Sequence, residues 1–240
     1  MGTYIAKLTK REQIADDTMA FYFDRPAGFE FVGGQSMDIT LIDPPQTDAE
    51  GNSRTFSLAS ASDAPSLMFA TRLRDTAFKR TLKTLPLGTE VSLEGPFGSM
   101  TLHRKATRPA VILAGGIGIT PFRSMICQAT NAIAGPPIYL FYSNRRPEDA
   151  AFLAELQQLA GQHSKFSLVA TMTNMEKSRV AWNGATGYIN REMLARSVGS
   201  LAEAVYYIAG PPALVTAMKN MLGQAGVDEE EINSEDFSGY

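Results

Sequence analysis

The chain has 240 residues, enough for one large domain or two of ordinary size, and its 44% hydrophobic and 20% charged residues are typical of a well-cored globular protein. A net charge of −3 gives no general attraction to nucleic acid or anionic membranes. One cysteine excludes an internal disulfide and an iron–sulfur cluster held by this chain alone, and with two histidines we expect no metal site.

Residues 1–105 are predicted to form an antiparallel β-barrel or sandwich. Apolar residues alternate with period two in TMAFYFD, SLMFATRLR and EVSLEG, which is typical of short, half-buried strands. Turn-forming stretches such as FVGGQ and DPPQTDAEGN separate these segments. One helix is predicted at Ala77–Leu85, ended by Pro86 and Gly88.

Residues 106–240 are predicted to form a doubly wound α/β domain with a parallel sheet. The segments AVILA, IYLFYS, FSLVATM and AVYYIA are typical of buried parallel strands. Apolar side chains recur between them with helical spacing, as at Phe122, Met125, Ile126 and Ala129, or Phe152, Leu153, Leu156 and Leu159. The join HRKATRP is the predicted domain boundary.

A glycine cluster, GGIGITP, lies where the first strand of the α/β domain meets its first helix. Gly115, Gly116 and Gly118 would let a diphosphate approach the backbone, and the helix N-terminus would supply N–H groups. Pro121 suits the first helical turn, where its missing N–H would have no partner. A tight turn that binds nothing would use the same glycines, so the motif alone leaves both interpretations open.

A second stretch, RTFS, lies on a predicted barrel strand. Alternation places Arg54 and Phe56 on one face and Thr55 and Ser57 on the other. By itself this pattern is typical of an ordinary strand.

RTFS, GPFG, GGIGITP and AGPP occur in an order that resembles the ferredoxin–NADP reductase superfamily, and most of all its compact stand-alone bacterial members. The resemblance implies FAD on the barrel and NAD(P)H on the α/β domain. It implies hydride transfer to flavin N5 and electron transfer to an external one-electron carrier such as ferredoxin or flavodoxin. Two alternatives stay open: a reductase of small acceptors (free flavin, ferric complexes or quinones), or a flavin-bound electron-transfer module of a larger complex.

The same resemblance assigns residues to FAD. Arg54 would pair with its diphosphate, Phe56 would cover the flavin where tyrosine is usual, and Ser57 would lie near N5, with Thr55 in the same motif. A helix start would face the diphosphate with its free N–H groups, over Thr76, Ala77, Phe78 and Lys79.

For the nicotinamide cofactor, the resemblance adds Thr120 to the diphosphate contacts and places Ala209, Gly210 and Pro211 beside the nicotinamide. Many relatives carry cysteine in place of Ala209. After the second strand of this domain, Ser143 and Arg145 precede the first acid, Glu148. A hydroxyl and a guanidinium suit a 2′-phosphate, so we predict NADPH, with NADH possible.

The C-terminal segment completes the predicted site. Phe237 or Tyr240 would cover the flavin face, and Glu235 would assist proton movement. An acidic carrier would dock on a basic cluster of Arg72, Arg74, Lys79, Arg80 and Lys83. No apolar run is long enough to span a membrane and no signal-peptide core is evident, so we expect a cytoplasmic protein without a nucleic-acid partner.

Overall fold

A computed structural model of the chain describes residues 2–132 and 135–237. The N-terminal half is a six-stranded antiparallel sheet of β1 (Gly2–Ala15), β2 (Thr18–Asp24), β3 (Ser36–Leu41), β4 (Ser53–Ser57), β5 (Ser66–Arg72) and β6 (Glu90–Phe97). The spatial order is β4-β3-β6-β1-β2-β5. The Ala59 N–H, just after β4, donates to the Met68 carbonyl of β5 at 2.7 Å. The two outer strands therefore meet, and the sheet closes towards the predicted barrel.

Aromatic side chains fill the barrel interior. Phe69 of β5 stacks on Phe21 and on Phe56, with ring centroids 5.3 and 4.2 Å apart. Helix α1 (Ala77–Thr84) covers this core with Phe78 and Leu82. The helix predicted from Ala77 is confirmed, one residue shorter than expected.

The C-terminal half is a parallel sheet of β7 (Ala110–Gly115), β8 (Ile138–Asn144), β9 (Phe166–Met172), β10 (Ala185–Thr186), β11 (Val205–Gly210) and β12 (Ile232–Asp236). The order is β10-β9-β8-β7-β11-β12. The helices are α2 (Ile119–Asn131), α3 (Leu153–Gln162), α4 (Arg191–Val198) and α5 (Pro212–Gln224). The predicted doubly wound domain is confirmed.

Alternating side chains of this sheet enter two separate cores. Ile112 and Leu140 pack with Phe122 of α2 on one face, while Leu113 packs with Leu222 of α5 on the other. Both faces of the central strands are apolar, which explains their continuous apolar runs.

The strand order reverses beside β7, because β8 lies on one side of it and β11 on the other. The crevice between the carboxyl ends of β7 and β11 is therefore the topological switch point, where doubly wound sheets bind ligands.

The barrel and the α/β half are held together through α2. The Ser124 hydroxyl donates to the Ser60 carbonyl at 2.6 Å, and the Gly33 N–H donates to Gln128 Oε1 at 2.8 Å. Residues 98–109, between β6 and β7, form neither strand nor helix. A domain boundary at residue 105 stays a prediction.

The start of α3 differs from the helical pattern. Phe152 precedes the helix with a left-handed φ of 60°, and its ring lies 4.9 Å from the Arg123 guanidinium. The predicted stripe is correct from Leu153 onwards, whereas Phe152 contacts the neighbouring helix from a turn.

Candidate functional site

A cavity of about 470 Å³ opens at the carboxyl ends of β7, β8 and β11. We call it the cleft. It lies at the switch point of the sheet, and strand ends, the start of α5 and Phe237 form its walls. The predicted residues that line it are Gly115, Gly116, Ser143, Arg145, Gly210, Pro211 and Phe237.

The glycines of GGIGITP have different tasks. Gly115 and Gly116 line the cleft, and a Cβ on Gly116 would meet only Arg72, at 3.6 Å. The φ of Gly116 is 54°, a left-handed conformation that glycine adopts without strain. A Cβ on Gly118 would lie 2.4 Å from the Ala209 carbonyl oxygen. For Gly118 the structure therefore supports the alternative of a tightly packed turn.

Thr120 and Pro121 shape the beginning of α2. The Thr120 hydroxyl donates to the Ile117 carbonyl at 3.0 Å and is buried, so it tightens the turn before the helix. Pro121 is buried in the first helical turn and lines no cavity described below, which agrees with a helix-starting role.

The end of β8 presents unpaired polar groups to the cleft. Ser143 and Asn144 are buried there. The Asn144 amide lies beside the Tyr142 hydroxyl, yet neither its Oδ1 nor its Nδ2 reaches a hydrogen-bond partner in the described part of the chain. Arg145 is exposed, and its guanidinium has no hydrogen-bond or ion-pair partner within residues 2–132 and 135–237.

The next charged residues along the chain are already paired. The Arg146 guanidinium lies 2.6 Å from Asp149 and 3.3 Å from Asp16. Glu148 accepts a hydrogen bond from the Arg179 N–H at 2.6 Å, which lowers the pKa of its carboxyl to about 2. Glu148 does not line the cleft, so the first acid after β8 is directed elsewhere.

Sequence reasoning missed several residues of the cleft, among them Arg72, Thr173 and Tyr188. The sequence groups Arg72 with a basic surface cluster, whereas the structure turns it towards Gly116. Thr173 and Tyr188, the latter 80% exposed, line the cleft from the loops after β9 and β10. No motif marks these positions, since the fold brings them together from distant parts of the chain.

A cavity of about 280 Å³ adjoins the cleft and shares Arg72 and Arg145 with it. Lys177 also lines it, and none of these three cations has a hydrogen-bond or ion-pair partner among the residues the structure describes. The acids that line it are paired with Arg146, except for Asp17. We call this the basic cavity, because unpaired positive charge predominates in it.

On the barrel side, β4 alternates as the sequence predicts. Phe56 is 4% exposed and stacks inside the core, while Thr55 lies on the opposite face. The Thr55 hydroxyl donates to the Asp38 carboxylate at 2.5 Å. Phe56 reaches the cofactor side of the barrel only through its small exposed part, and its role towards flavin stays a prediction.

A third cavity, of about 180 Å³, lies between the barrel and the α/β half, and we call it the barrel-side cavity. It shares Ile117 and Phe237 with the cleft. Burial raises the pKa of the Glu235 carboxyl, which lines this cavity. It brings together the predicted residues Thr55, Phe56, Ser57, Thr120, Glu235 and Phe237. Tyr240 lies outside the described residues.

The start of α1 carries concentrated positive charge. Thr76 is in extended conformation and its side chain accepts a hydrogen bond from the Lys79 N–H, as an N-cap does. Burial, together with the charges of Arg74 and Arg54, lowers the pKa of the Lys79 ammonium to about 8. An anion at this point would therefore be strongly favoured.

Both carboxylate oxygens of Asp48 already accept hydrogen bonds in this region. The Ala77 N–H donates to Asp48 Oδ2 at 3.0 Å, and Arg54 donates to Asp48 Oδ1 at 3.0 Å. Phe78 points into the core, with the Arg54 guanidinium 5.3 Å from its ring centroid.

β11 meets the cleft at AGPP. Gly210 and Pro211 line the cleft, and the Gly210 carbonyl accepts a hydrogen bond from the Phe237 N–H at 2.9 Å. Ala209 is fully buried against Gly118 and lines none of the three cavities. Ala209, which we predict to lie beside the nicotinamide, is therefore buried behind the residues that form the wall of the cleft.

Within the described ranges, no group of three or more His, Cys, Asp or Glu side chains could hold a metal ion. None of the helices there is long and apolar enough to cross a bilayer.

The fold and the site define a class of protein: an antiparallel barrel joined to a doubly wound nucleotide-binding domain, with two cavities meeting between them. A family described as oxidoreductase NAD-binding domain matches residues 112–220.

Proteins of similar sequence and structure agree with this class. The chain is 27% identical to the glycine betaine monooxygenase reductase subunit of Chromohalobacter salexigens over 92% of this chain and 60% of that protein. It is 24% identical to the propane 2-monooxygenase reductase component of Rhodococcus jostii over 97% and 63%. A ferredoxin NADP+ reductase from Neisseria gonorrhoeae, solved with bound FAD and NADP, superimposes with a TM-score of 0.80 at 20% identity, over 98% of both chains.

These similarities agree with the resemblance of the sequence to the ferredoxin–NADP reductase superfamily. The flavohem-like FAD/NAD binding domain of nitric oxide dioxygenase from Vibrio cholerae has the same fold, with a TM-score of 0.82 at 19% identity over 97% and 98% of the two chains. The chain spans about three-fifths of the length of the two curated relatives described above.

Proposed function

We propose that the chain is an FAD-dependent NAD(P)H oxidoreductase that passes electrons to an external one-electron carrier. The observation that carries the proposal is that the cleft and the barrel-side cavity meet at Ile117 and Phe237. A nicotinamide in the cleft and a flavin in the barrel-side cavity would lie side by side, with Ile117 and the Phe237 ring between them.

The barrel-side residues fit FAD by the chemistry of their donors. Arg54, Lys79 and the N-terminus of α1 provide cationic and N–H groups for a diphosphate. Thr55 and Ser57 line the cavity with hydroxyls. When bound there, FAD would supply a ring that accepts hydride at N5 and passes electrons on singly. The chain's own contribution is orientation and exclusion of water.

Phe237 and Glu235 would control access to that ring. The hydrogen bond from the Phe237 N–H to the Gly210 carbonyl holds its backbone where the two cavities meet, and its ring would have to turn aside for nicotinamide to reach the flavin. Because burial raises the pKa of Glu235, its carboxyl holds a proton to higher pH than an exposed glutamate does. We propose that Glu235 holds a proton at the edge of the barrel-side cavity.

The dinucleotide site fits NADPH. Gly116 and the start of α2 would receive the diphosphate, with Arg72 opposite. Ser143, Arg145 and Lys177 would receive the 2′-phosphate in or beside the basic cavity. Glu148, which would favour NAD if it faced the ribose, is held by the Arg179 N–H instead.

An external carrier is the proposed acceptor, since one cysteine cannot hold an iron–sulfur cluster within these 240 residues. The similar proteins named above are reductase subunits or components of monooxygenases, which supports an oxygenase component in this role. Ferredoxin and flavodoxin are the carriers that the sequence resemblance implies.

The proposal is tested with the purified full chain. We expect it to be yellow, to release FAD rather than FMN on denaturation, and to be bleached by NADPH faster than by NADH in anaerobic stopped-flow mixing. A chain that retains no flavin when FAD is supplied, or whose flavin neither nucleotide reduces, would contradict the proposal.

A further inference from the structure

Asp48 bridges the two groups that would hold the diphosphate of FAD. It lies in the loop between β3 and β4. Its Oδ1 accepts from the Arg54 guanidinium and its Oδ2 from the Ala77 N–H, both at 3.0 Å. One carboxylate thus joins the barrel arginine to the first N–H of α1.

The surrounding loop reinforces this contact. Glu50 lies 2.9 Å from the same guanidinium, which also donates to the Glu50 and Ser53 carbonyls at 2.9 and 2.7 Å. Gln46, two residues before Asp48, accepts from Arg80 of α1 at 3.1 Å. Residues 46–51 are therefore folded over the beginning of α1.

The bridge is partly shielded from water. The side chains of Arg54 and Asp48 are 19% and 32% exposed, whereas that of Glu50 is 71% exposed. Burial acts to raise the pKa of Asp48, but the hydrogen bonds from Ala77 and Arg54 outweigh it and hold the pKa below its usual value. Asp48 is therefore an anion at neutral pH.

We propose that Asp48 competes with FAD, its carboxylate taking the place of one phosphate on Arg54 and Ala77, so that residues 46–51 must move aside for the cofactor to bind. This inference rests on the proposed function, which places the FAD diphosphate at these residues. A backbone N–H donates one strong hydrogen bond, and a phosphate beside Asp48 would be repelled by its like charge. The two anions therefore exclude each other.

The competition weakens apparent affinity without altering the contacts that FAD makes. When only a fraction of molecules has the loop displaced, the apparent Kd rises by the inverse of that fraction. Asp48 in turn stabilises the flavin-free protein, because it satisfies an N–H of α1 and pairs Arg54.

The test compares Asp48→Ala and Asp48→Asn with wild type, using full chain stripped of flavin and titrated with FAD while flavin fluorescence is followed. We expect Asp48→Ala to bind FAD about tenfold more tightly, which corresponds to about 1.4 kcal/mol. Asp48→Asn keeps an acceptor without the charge, so an intermediate affinity is expected. Glu90→Gln makes the same charge change on an exposed barrel residue and should leave the Kd unchanged.

A second readout is the melting temperature of the flavin-free chain. It should fall in both Asp48 variants and recover on addition of FAD. If wild type binds FAD and Asp48→Ala binds it equally or more weakly, Asp48 orients Arg54 for the cofactor and the competition is overturned. If wild type and all variants bind no FAD, the proposed function fails and this inference fails with it.

Discussion

Replacing Arg145 by alanine should remove the preference for NADPH that we propose. The Arg145 guanidinium lines both the cleft and the basic cavity and is unpaired among the described residues, so its charge is available to a ligand. A charge-assisted hydrogen bond contributes about 1.5–3 kcal/mol, and exposure to water places this one at the lower end. Since about 1.4 kcal/mol is a factor of ten, kcat/KM for NADPH should fall about tenfold.

The neighbouring arginine provides a matched control. Arg146 is next in the chain, but Asp149 and Asp16 already pair its guanidinium. Arg146→Ala should therefore leave the ratio of kcat/KM for NADPH and NADH unchanged, even if it lowers stability. Both ratios can be measured with ferricyanide as acceptor. An unchanged ratio in Arg145→Ala, or an equal fall in both variants, would refute the assignment.

Three further predictions concern other parts of the site. Because the pKa of Lys79 is lowered to about 8, its charge is lost as pH rises through that value. The affinity for FAD should therefore fall between pH 7 and 9.5. In Lys79→Met the affinity for FAD should not change with pH over this range. Gly118→Ala should lower the free energy of unfolding by about 3 kcal/mol, because its Cβ meets backbone, whereas Gly116→Ala should lower it by about 1–2 kcal/mol, measured by urea denaturation. Reversing the charges of Arg80 and Lys83 should slow reduction of an acidic ferredoxin about tenfold at low salt and leave flavin reduction by NADPH intact. If the rate of ferredoxin reduction depended neither on salt nor on these charges, the ferredoxin would dock elsewhere on the surface.

The sequence predicts both sheets because their hydrophobic periods differ. Period two over β2 and β5 and continuous apolar runs over β7 and β8 are strong signals, and the structure confirms all four strands. β12 escaped prediction because INSED lacks both patterns. It lies at the edge of the sheet and pairs with β11, and among the described residues no other strand pairs with it, so no second apolar face is required of it.

The candidate site could be predicted from the sequence only where a single short segment supplies its residues. GGIGITP and RTFS identify the two halves of the site, but Arg72 and Tyr188 join the cleft through the fold. Residue type could not distinguish the tasks of the glycines either. Gly116 faces the cleft, whereas Gly118 makes room for the backbone of β11, and the difference lies in the three-dimensional neighbours of each Cα.

Two consecutive arginines illustrate how the fold divides one sequence pattern between structure and function. Arg146 reaches Asp16 in the turn between β1 and β2, and the Asp16 N–H donates to the Glu148 carbonyl at 2.8 Å. These contacts tie the barrel to the loop that follows β8, the same loop that carries Arg145. The position of Arg145 in the cleft therefore depends on how the two halves are docked. The backbone hydrogen bond from Asp16 to Glu148 does not involve the Arg146 side chain, so it should hold the loop in place in Arg146→Ala and leave Arg145 in the cleft.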